Sequence, residues 1–379
     1  MKICYFGTYR ANYSRNQIMI AGLRAAGVEV VTCHVPLWHG IEDREAVASG
    51  RWFSLAFVKR LWTTYSKLLT GYFALRGRYD VLVLGYPGQL DVFLARLLTW
   101  FDRKPLVLDL FMSIYLIAQE RNLTAKSRLS INLLRLLERV ACRLPDRLIS
   151  DTAAYRAWHC QTHGLRPEKF RLVPTGADDR IFQPAASLPS SAGSPAPFRI
   201  VYYGTFIPNH GLETIVAAAR LLKDQPDIVF ELIGDGPDKA RAEQLAADNG
   251  LTNITFPGWL EKADLLRRAG TADLLLGAFG TTPQSLMTVQ NKIYEGLAMA
   301  RPVLTGSAPT VAQTLTHGEH LYLCRRSDPA DLAQAIYRLK ADSALRQRLA
   351  ESGYQYFSQN FALYQLGLKY AAHLRELVQ

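Results

Sequence analysis

The chain has 379 residues, enough for two domains of ordinary size. Hydrophobic residues make up 49% and charged residues 20%, which excludes a disordered or collagen-like chain. The formal charge of +11 lies wholly in the first half, where residues 1–190 hold 26 Lys+Arg against 15 Asp+Glu and the remainder holds 18 against 18; an anionic partner is expected on that half only.

In chain order, Lys2 to Phe6 reads as a strand ending at Gly7, followed by a polar loop, a helix over Gln17–Ala26 and a strand over Val28–Val35. Further strands are expected at Asp80–Leu84, Leu106–Leu110, Arg147–Ser150 and Phe170–Val173, each beside a helical segment. The apolar run Val81–Phe101 is broken by Gly85, Pro87, Gly88, Asp91 and Arg96, so it reads as strand, turn and helix rather than a membrane span. In the helix expected over Ala125–Leu144, the residues Leu129, Leu133, Leu136, Leu137 and Val140 form an apolar stripe. The five cysteines are scattered without CxxC spacing, which argues for buried thiols of a reducing compartment and against a disulfide frame or zinc site. The N-terminus lacks a long apolar segment of the secretory kind, so a cytoplasmic protein, soluble or peripheral, is expected.

Residues 185–198, small, Ser- and Pro-rich and uncharged, read as a linker between a domain 1–184 and a domain 199–355. Strands follow at Arg199–Tyr203, Ile228–Ile233, Ile254–Phe256, Asp273–Leu276 and Pro302–Leu304. Helices are expected at Leu212–Lys223, Asp238–Asp248, Lys262–Arg268 and Asn291–Ala298, and the tail from Pro329 is almost all helix. This alternation predicts α/β architecture with two parallel sheets. Such sheets bind ligands beyond the carboxyl ends of their strands. Gly7 and Gly204 each end the first strand of their half, where glycine lets backbone approach a ligand or simply makes a tight turn.

Three segments of the second half carry chemistry together: Tyr203-Gly-Thr-Phe-Ile-Pro-Asn-His-Gly211, Ile233-Gly-Asp-Gly-Pro237 and Asn291-Lys-Ile-Tyr-Glu-Gly-Leu-Ala-Met-Ala-Arg-Pro-Val303. With the connection Phe170–Pro184, they make the chain resemble the family 4 (group 1) glycosyltransferases of GT-B fold, most closely over Phe170–Ala350. The resemblance implies two Rossmann-like parallel-sheet domains facing a cleft, with residues 356–379 forming a helix that returns to the N-terminal domain. It also implies transfer of a sugar, with retention, from a UDP- or GDP-linked donor in the C-terminal domain to a hydroxyl acceptor held by the N-terminal domain, without a metal.

Lys292 stands three residues before Glu295, so both face one side of a helix. The resemblance makes Lys292 the cation for the departing diphosphate and Glu295 the acceptor of the ribose hydroxyls. The first glutamate of the family's motif falls at Met287, leaving Gln284, Ser285 or Thr288 to meet the sugar. The family's cations after the first strand of the donor domain are replaced by Thr205 and His210. Neither carries a permanent charge, although His210 is able to gain a proton near neutral pH, so the diphosphate grip would fall to Lys292 and to backbone amides at Gly204–Thr205 and Gly280–Thr282. Asn209 and the turn Gly234-Asp235-Gly236 complete the donor candidates, and Phe256-Pro-Gly258-Trp259 matches a segment that reads the base. The alternative for Lys292 and Glu295 is an ordinary exposed i,i+3 pair.

In the first half, Gly7 and Thr8 are donor candidates, Arg10 and Arg15 are phosphate candidates, and Asp109 and Ser113 lie where a strand opens toward the expected cleft. Asp109 is either a binder of the acceptor hydroxyl or a strand-end cap. Between Glu45 and Asp80 there is no acidic residue. Trp52, Lys59, Arg60, Trp62 and Lys67 belong to a basic, aromatic helical segment that fits an anionic membrane surface or, alternatively, packs on the sheet. No nucleic-acid recognition module is present. Other readings of the same fold are a sugar-nucleotide epimerase and a non-catalytic nucleotide-sugar scaffold.

Overall fold

The computed structural model describes residues 1–37, 55–120, 128–185 and 197–378. Trp52 and most of the expected linker lie outside the described residues. The chain forms two compact units, Met1–Thr175 with Leu363–Gln379, and Gly176–Ala362.

The first unit holds β1 (Lys2–Gly7), β2 (Glu29–His34), β3 (Val81–Leu84), β4 (Leu106–Asp109), β5 (Arg147–Ser150) and β6 (Phe170–Leu172). They form one parallel sheet in the order β2-β1-β3-β4-β5-β6. The strands are apolar on both sides because both faces are covered. Cys4, Phe6, Leu82, Leu84, Leu106 and Leu108 pack with Leu68, Tyr72, Val92, Ala95 and Leu98 of the helices Leu55–Leu75 and Asp91–Asp102. Ile3, Tyr5, Val81, Val83 and Val107 alternate with them and meet the helices Ser14–Ala25 and Leu363–Arg375.

The latter two helices touch at Gly22 and Gly367. A Cβ on Gly367 would collide with the carbonyl oxygen of Gly22, and one on Gly22 would lie 2.8 Å from the Leu363 oxygen. Gly367→Val is therefore expected to lower the urea midpoint, with a loss at or above the top of the ~1–3 kcal/mol typical of overpacking.

The second unit repeats the plan with β7 (Phe198–Tyr203), β8 (Ile228–Ile233), β9 (Ile254–Gly258), β10 (Leu274–Leu276), β11 (Val303–Gly306) and β12 (Tyr322–Cys324). Its sheet is also parallel, in the order β12-β11-β10-β7-β8-β9. The strand β12 and the short helices Pro283–Met287 and Pro309–Thr314 were not expected from the sequence.

Two boundaries differ from the expected 184 and 355. Ala177 and Phe182 are buried in the core of the second unit, and the Lys262 ammonium lies 5.4 Å from the Phe182 ring centre. The segment after Thr175 therefore belongs with the second unit. At the other end the helix Ser343–Asn360 stays with the second unit through Phe357, and the chain returns only at Leu363.

Two helices divide their apolar residues between the sheet and solvent. The helix Leu55–Leu75 buries Phe57, Thr64, Leu68 and Tyr72, while Val58 and Trp62 face solvent. The helix Arg128–Ala141 exposes Leu133, Leu136 and Val140 rather than burying them. Among the described residues no helix is long and apolar enough to cross a membrane. All five cysteines are free.

Candidate functional site

In a doubly wound sheet the ligand crevice opens where successive connections leave in opposite directions. In the second unit that point lies between β7 and β10, at Gly204 and at the loop Gly277–Thr282. The loops there are stacked backbone on backbone. Gly204 takes φ +138°, Gly234 +146° and Gly236 +150°, and a Cβ on Gly234 or Gly236 would strike the carbonyl oxygens of Gly204 and Phe206. The Phe206 amide donates to the Asp235 oxygen at 2.8 Å, and the Phe279 amide to the His210 oxygen at 2.9 Å. These glycines are needed for the close approach of three loops. Gly258 belongs to the same stack, since its carbonyl accepts from the Gly234 amide at 2.9 Å.

Lys292 reaches this point from the first turn of the helix Asn291–Ala298. Its ammonium donates to the Tyr202 hydroxyl at 2.9 Å and lies 4.1 Å from the Tyr202 ring centre. A Cβ on Gly204 would sit 3.1 Å from the same nitrogen. Lys292 is 6% exposed and forms no ion pair with any described residue. Burial lowers its pKa to about 7, although Glu295 pulls the other way. The exposed i,i+3 pair is thereby excluded. Glu295 is half-buried on the next turn, and burial raises its pKa against the opposing pull of Tyr203, Lys292 and Lys262. The Tyr203 hydroxyl faces it without forming a hydrogen bond of good geometry.

Backbone donors stand on the loops at this switch point. The Gly204 amide is engaged by the Ile233 oxygen, but the amides of Thr205, Gly280, Thr281 and Thr282 donate to no described residue. A buried cation without an ion pair, at a switch point whose loops carry unengaged N–H groups, is a site suited to an anion.

His210 does not supply a second charge. Its Nδ1 lies 2.6 Å from the Thr205 carbonyl oxygen, which only accepts, so Nδ1 carries the hydrogen. Burial, then Lys292 and Arg326, hold its pKa well below the usual histidine value, and the ring is neutral at pH 7. The second cation is Arg326, which no motif announced. Its Nη1 donates to the Gly280 oxygen at 2.6 Å and to Ser285 Oγ at 2.7 Å, and its Nε donates to the Ser307 oxygen at 3.0 Å. The polar residues near Met287 serve the loops rather than an open pocket. Thr288 Oγ1 donates to the Gln284 oxygen at 2.9 Å, Asn209 Nδ2 to Gln284 Oε1 at 2.7 Å, and Ser285 Oγ to the Asn209 oxygen at 2.6 Å. Asp235 accepts from the Gly236 amide and pairs with Lys239 at 3.5 Å.

In the first unit several candidates are engaged inside the fold. Arg15 and Asp109 are wholly buried against each other, with Arg15 Nη2 3.0 Å from Asp109 Oδ1 and Nη1 donating to the Val173 oxygen at 2.8 Å. Neither is available to an acceptor or a phosphate. Thr8 donates through its amide and its hydroxyl to buried Asp91, which also approaches Gly7 and accepts from Tyr65 at 2.8 Å. Ser113 Oγ donates to buried Glu138 at 2.5 Å, and the same carboxylate receives the Ile114 amide at 2.8 Å and lies 3.2 Å from His163 Nε2. Arg10 is half-buried, its guanidinium 5.5 Å from the Tyr13 ring centre. Asp151 was not expected. It follows β5 at the carboxyl edge, is 6% exposed, and neither carboxylate oxygen has a hydrogen-bond partner among the described residues. Burial raises its pKa to about 7.

Comparison with known proteins bears on both units. Residues 197–342 match glycosyl transferases group 1, and residues 15–176 match the glycosyl transferase 4-like domain. The lipopolysaccharide core biosynthesis glycosyltransferase LpsD of Rhizobium meliloti is 29% identical over 157 residues, 41% of this chain and 43% of that protein. LpsE of the same organism is 26% identical over 182 residues, 48% of this chain and 50% of that protein. The chain thus spans about half the length of these curated relatives. Among solved structures, Anabaena HepE in complex with UDP superposes with a TM-score of 0.72 at 17% identity, covering 100% of both chains. Sucrose-phosphate synthase of Thermosynechococcus elongatus gives 0.73 at 19% identity, covering 100% of this chain and 99% of that one. Both sheets, both matched halves and the shared fold agree, and the chain belongs to the group 1 glycosyltransferases, with the GT-B fold.

Proposed function

We propose that the chain moves a hexosyl group, with retention, from a nucleotide-diphosphate sugar to a hydroxyl of a glycan or lipid-linked acceptor in cell-envelope polysaccharide or glycolipid synthesis, at the cytoplasmic side. The observation that carries this reading is the buried Lys292 ammonium, without an ion pair among the described residues, at the sheet's switch point beside Gly204. A departing nucleoside diphosphate gains negative charge as the glycosidic bond breaks, and pre-placed donors in a dry site stabilise that charge most. Glu295, one turn further along the helix, offers two acceptor oxygens to a ribose diol. Incoming hydroxyl and leaving phosphate then share one face of the sugar, and a phosphate oxygen takes the proton, so positioning replaces an enzymic base. In this reading no metal is required. On the acceptor side, Asp151 takes the place expected of Asp109, because its oxygens are unbonded.

The relatives named for lipopolysaccharide core synthesis support an envelope acceptor, and the HepE complexes with UDP and UDP-glucose support a uridine donor. The test is thermal stabilisation by a panel of UDP- and GDP-sugars, followed by calorimetry. A ligand at 100 times its Kd is expected to stabilise the fold by about 2.7 kcal/mol. If no nucleotide-sugar in the panel raised the melting temperature, the reading would fall. Binding without turnover of any envelope acceptor would favour a scaffold.

A further inference from the structure

Three helices cover the same face of the first unit's sheet, side by side. Tyr72 and Arg76, at the end of Leu55–Leu75, bond Asp102 on Asp91–Asp102, and Arg96 of that second helix bonds the Leu144 oxygen and Asp146 just beyond Arg128–Ala141. Their outward surfaces are unusual. On Asp91–Asp102 the solvent-exposed side chains are Phe93, Leu97, Trp100 and Phe101, with Trp100 75% and Phe101 71% exposed. On the neighbouring helices Phe73, Leu136 and Val140 are exposed as well. Isolated exposed apolar residues are ordinary, but a continuous run of large ones across adjacent helices marks an interaction surface.

Cations border it at one end. The three helices finish at the amino edge of the sheet, where Arg76 and Arg78, then Arg103 and Lys104, then Arg143 follow them in turn, with Arg139 in the last turn of the third. Of the carboxylates at this edge, Asp102 is matched with Arg76 and Asp146 with Arg96, while Asp80 accepts from the Lys2 amide. Beyond Arg143 the edge hollows into a cavity of about 380 Å³ lined by Arg143, Arg147, Arg166 and Lys169, with Glu168 as its one acid.

We propose that this face lies on an anionic bilayer, with Trp100 and Phe101 inserted at the headgroup level and the neighbouring arginines and lysines on lipid phosphates. Aromatic side chains beside a cationic border fit the interface between acyl chains and headgroups. The contact uses the amino edge of the sheet, so the carboxyl edge, where Asp151 lies, stays open. It also moves the expected membrane contact away from Trp62 and Lys59, which sit nearer the opposite end of their helix.

The test is flotation of the full chain with phosphatidylcholine vesicles containing 30% phosphatidylglycerol. The wild type is expected to float with these vesicles at low salt, and to stay behind with phosphatidylcholine alone or in 1 M NaCl. The double variant Trp100→Ser/Phe101→Ser, and separately Arg103→Glu/Lys104→Glu, should each reduce the floated fraction at least tenfold. Because Trp100, Phe101 and Arg103 are exposed and Lys104 is half-buried, circular dichroism melting should be nearly unchanged. Thermal stabilisation by a nucleotide-sugar should also be unchanged, which separates this proposal from the donor reading. Failure of the wild type to float, or equal flotation of the variants, overturns it. So does a concentration-dependent dimer in light scattering that the Trp100→Ser/Phe101→Ser change abolishes, since the face would then meet a second copy.

Discussion

Lys292→Met is expected to lower kcat/KM for donor-dependent transfer by roughly 10²–10³, about 3–4 kcal/mol of transition-state stabilisation. Methionine keeps most of the volume and removes only the charge and its donors. The stronger signature is the pH dependence. In the free protein burial lowers the Lys292 pKa to about 7, so the ammonium is only partly charged at neutral pH. A bound diphosphate favours the charged form. Below pH 7 the proton is already present, and above it each donor bound must draw a proton from solution. Donor affinity should therefore fall as pH rises from 7 to 9, by up to about tenfold per unit, and the fall should vanish in Lys292→Met. The free fold shows the opposite trend. Between pH 7 and the ordinary lysine range the unfolded chain holds more protons than the folded one, so this group makes the unliganded protein more stable as pH rises. Calorimetry at pH 6, 7, 8 and 9 checks both. Equal affinities across that range, or an unchanged Kd in the variant, would remove Lys292 from the diphosphate.

The largest loss of stability is expected from Asp109→Ala. Arg15 and Asp109 are both completely buried, and their contacts link the helix Ser14–Ala25 to the ends of β4 and β6. Removing the carboxylate leaves the buried guanidinium with the Val173 carbonyl as its hydrogen-bond partner and Asp151 as the remaining nearby carboxylate. Breaking such a pair typically costs 3–5 kcal/mol, whereas replacing both members by apolar residues of similar volume is often neutral or better. The expected order of urea midpoints is wild type close to Arg15→Met/Asp109→Leu, with Asp109→Ala far below. A catalytic role for Asp109 predicts something different: a loss of turnover with the midpoint preserved.

Most of the fold was legible because parallel strands covered on both faces are apolar runs, and the runs here alternate cleanly with helical spacing. The edge strand β12 escaped because Tyr322–Cys324 is three residues long and two of them are only half-buried. In the site, Lys292 and Glu295 were readable because their spacing is local. Arg15 and Asp109 were both singled out, yet their pairing spans 94 positions and no local pattern encodes it. Arg326 and Asp151 were missed for a related reason: each stands just past a strand end, and only the fold shows that Arg326 is held by loop oxygens and that Asp151 is buried without a hydrogen-bond partner among the described residues. The helix Asp91–Asp102 shows a different limit. It is apolar on every side, so periodicity could not separate the face on the sheet from the face in solvent.

The return of Leu363–Arg375 to the first unit has a consequence for synthesis. Leu363, Leu366, Tyr370 and Leu374 fill the core against Ile18, Met19 and Leu23. During translation the first unit leaves the ribosome with one side of its sheet incompletely covered, and the whole of Gly176–Ala362 must emerge before the covering helix arrives. At ~5–20 residues per second that interval is on the order of ten seconds or more. A nascent chain stalled before Leu363 should carry an exposed apolar strip on its first unit, and it is there that chaperone binding or premature aggregation would begin.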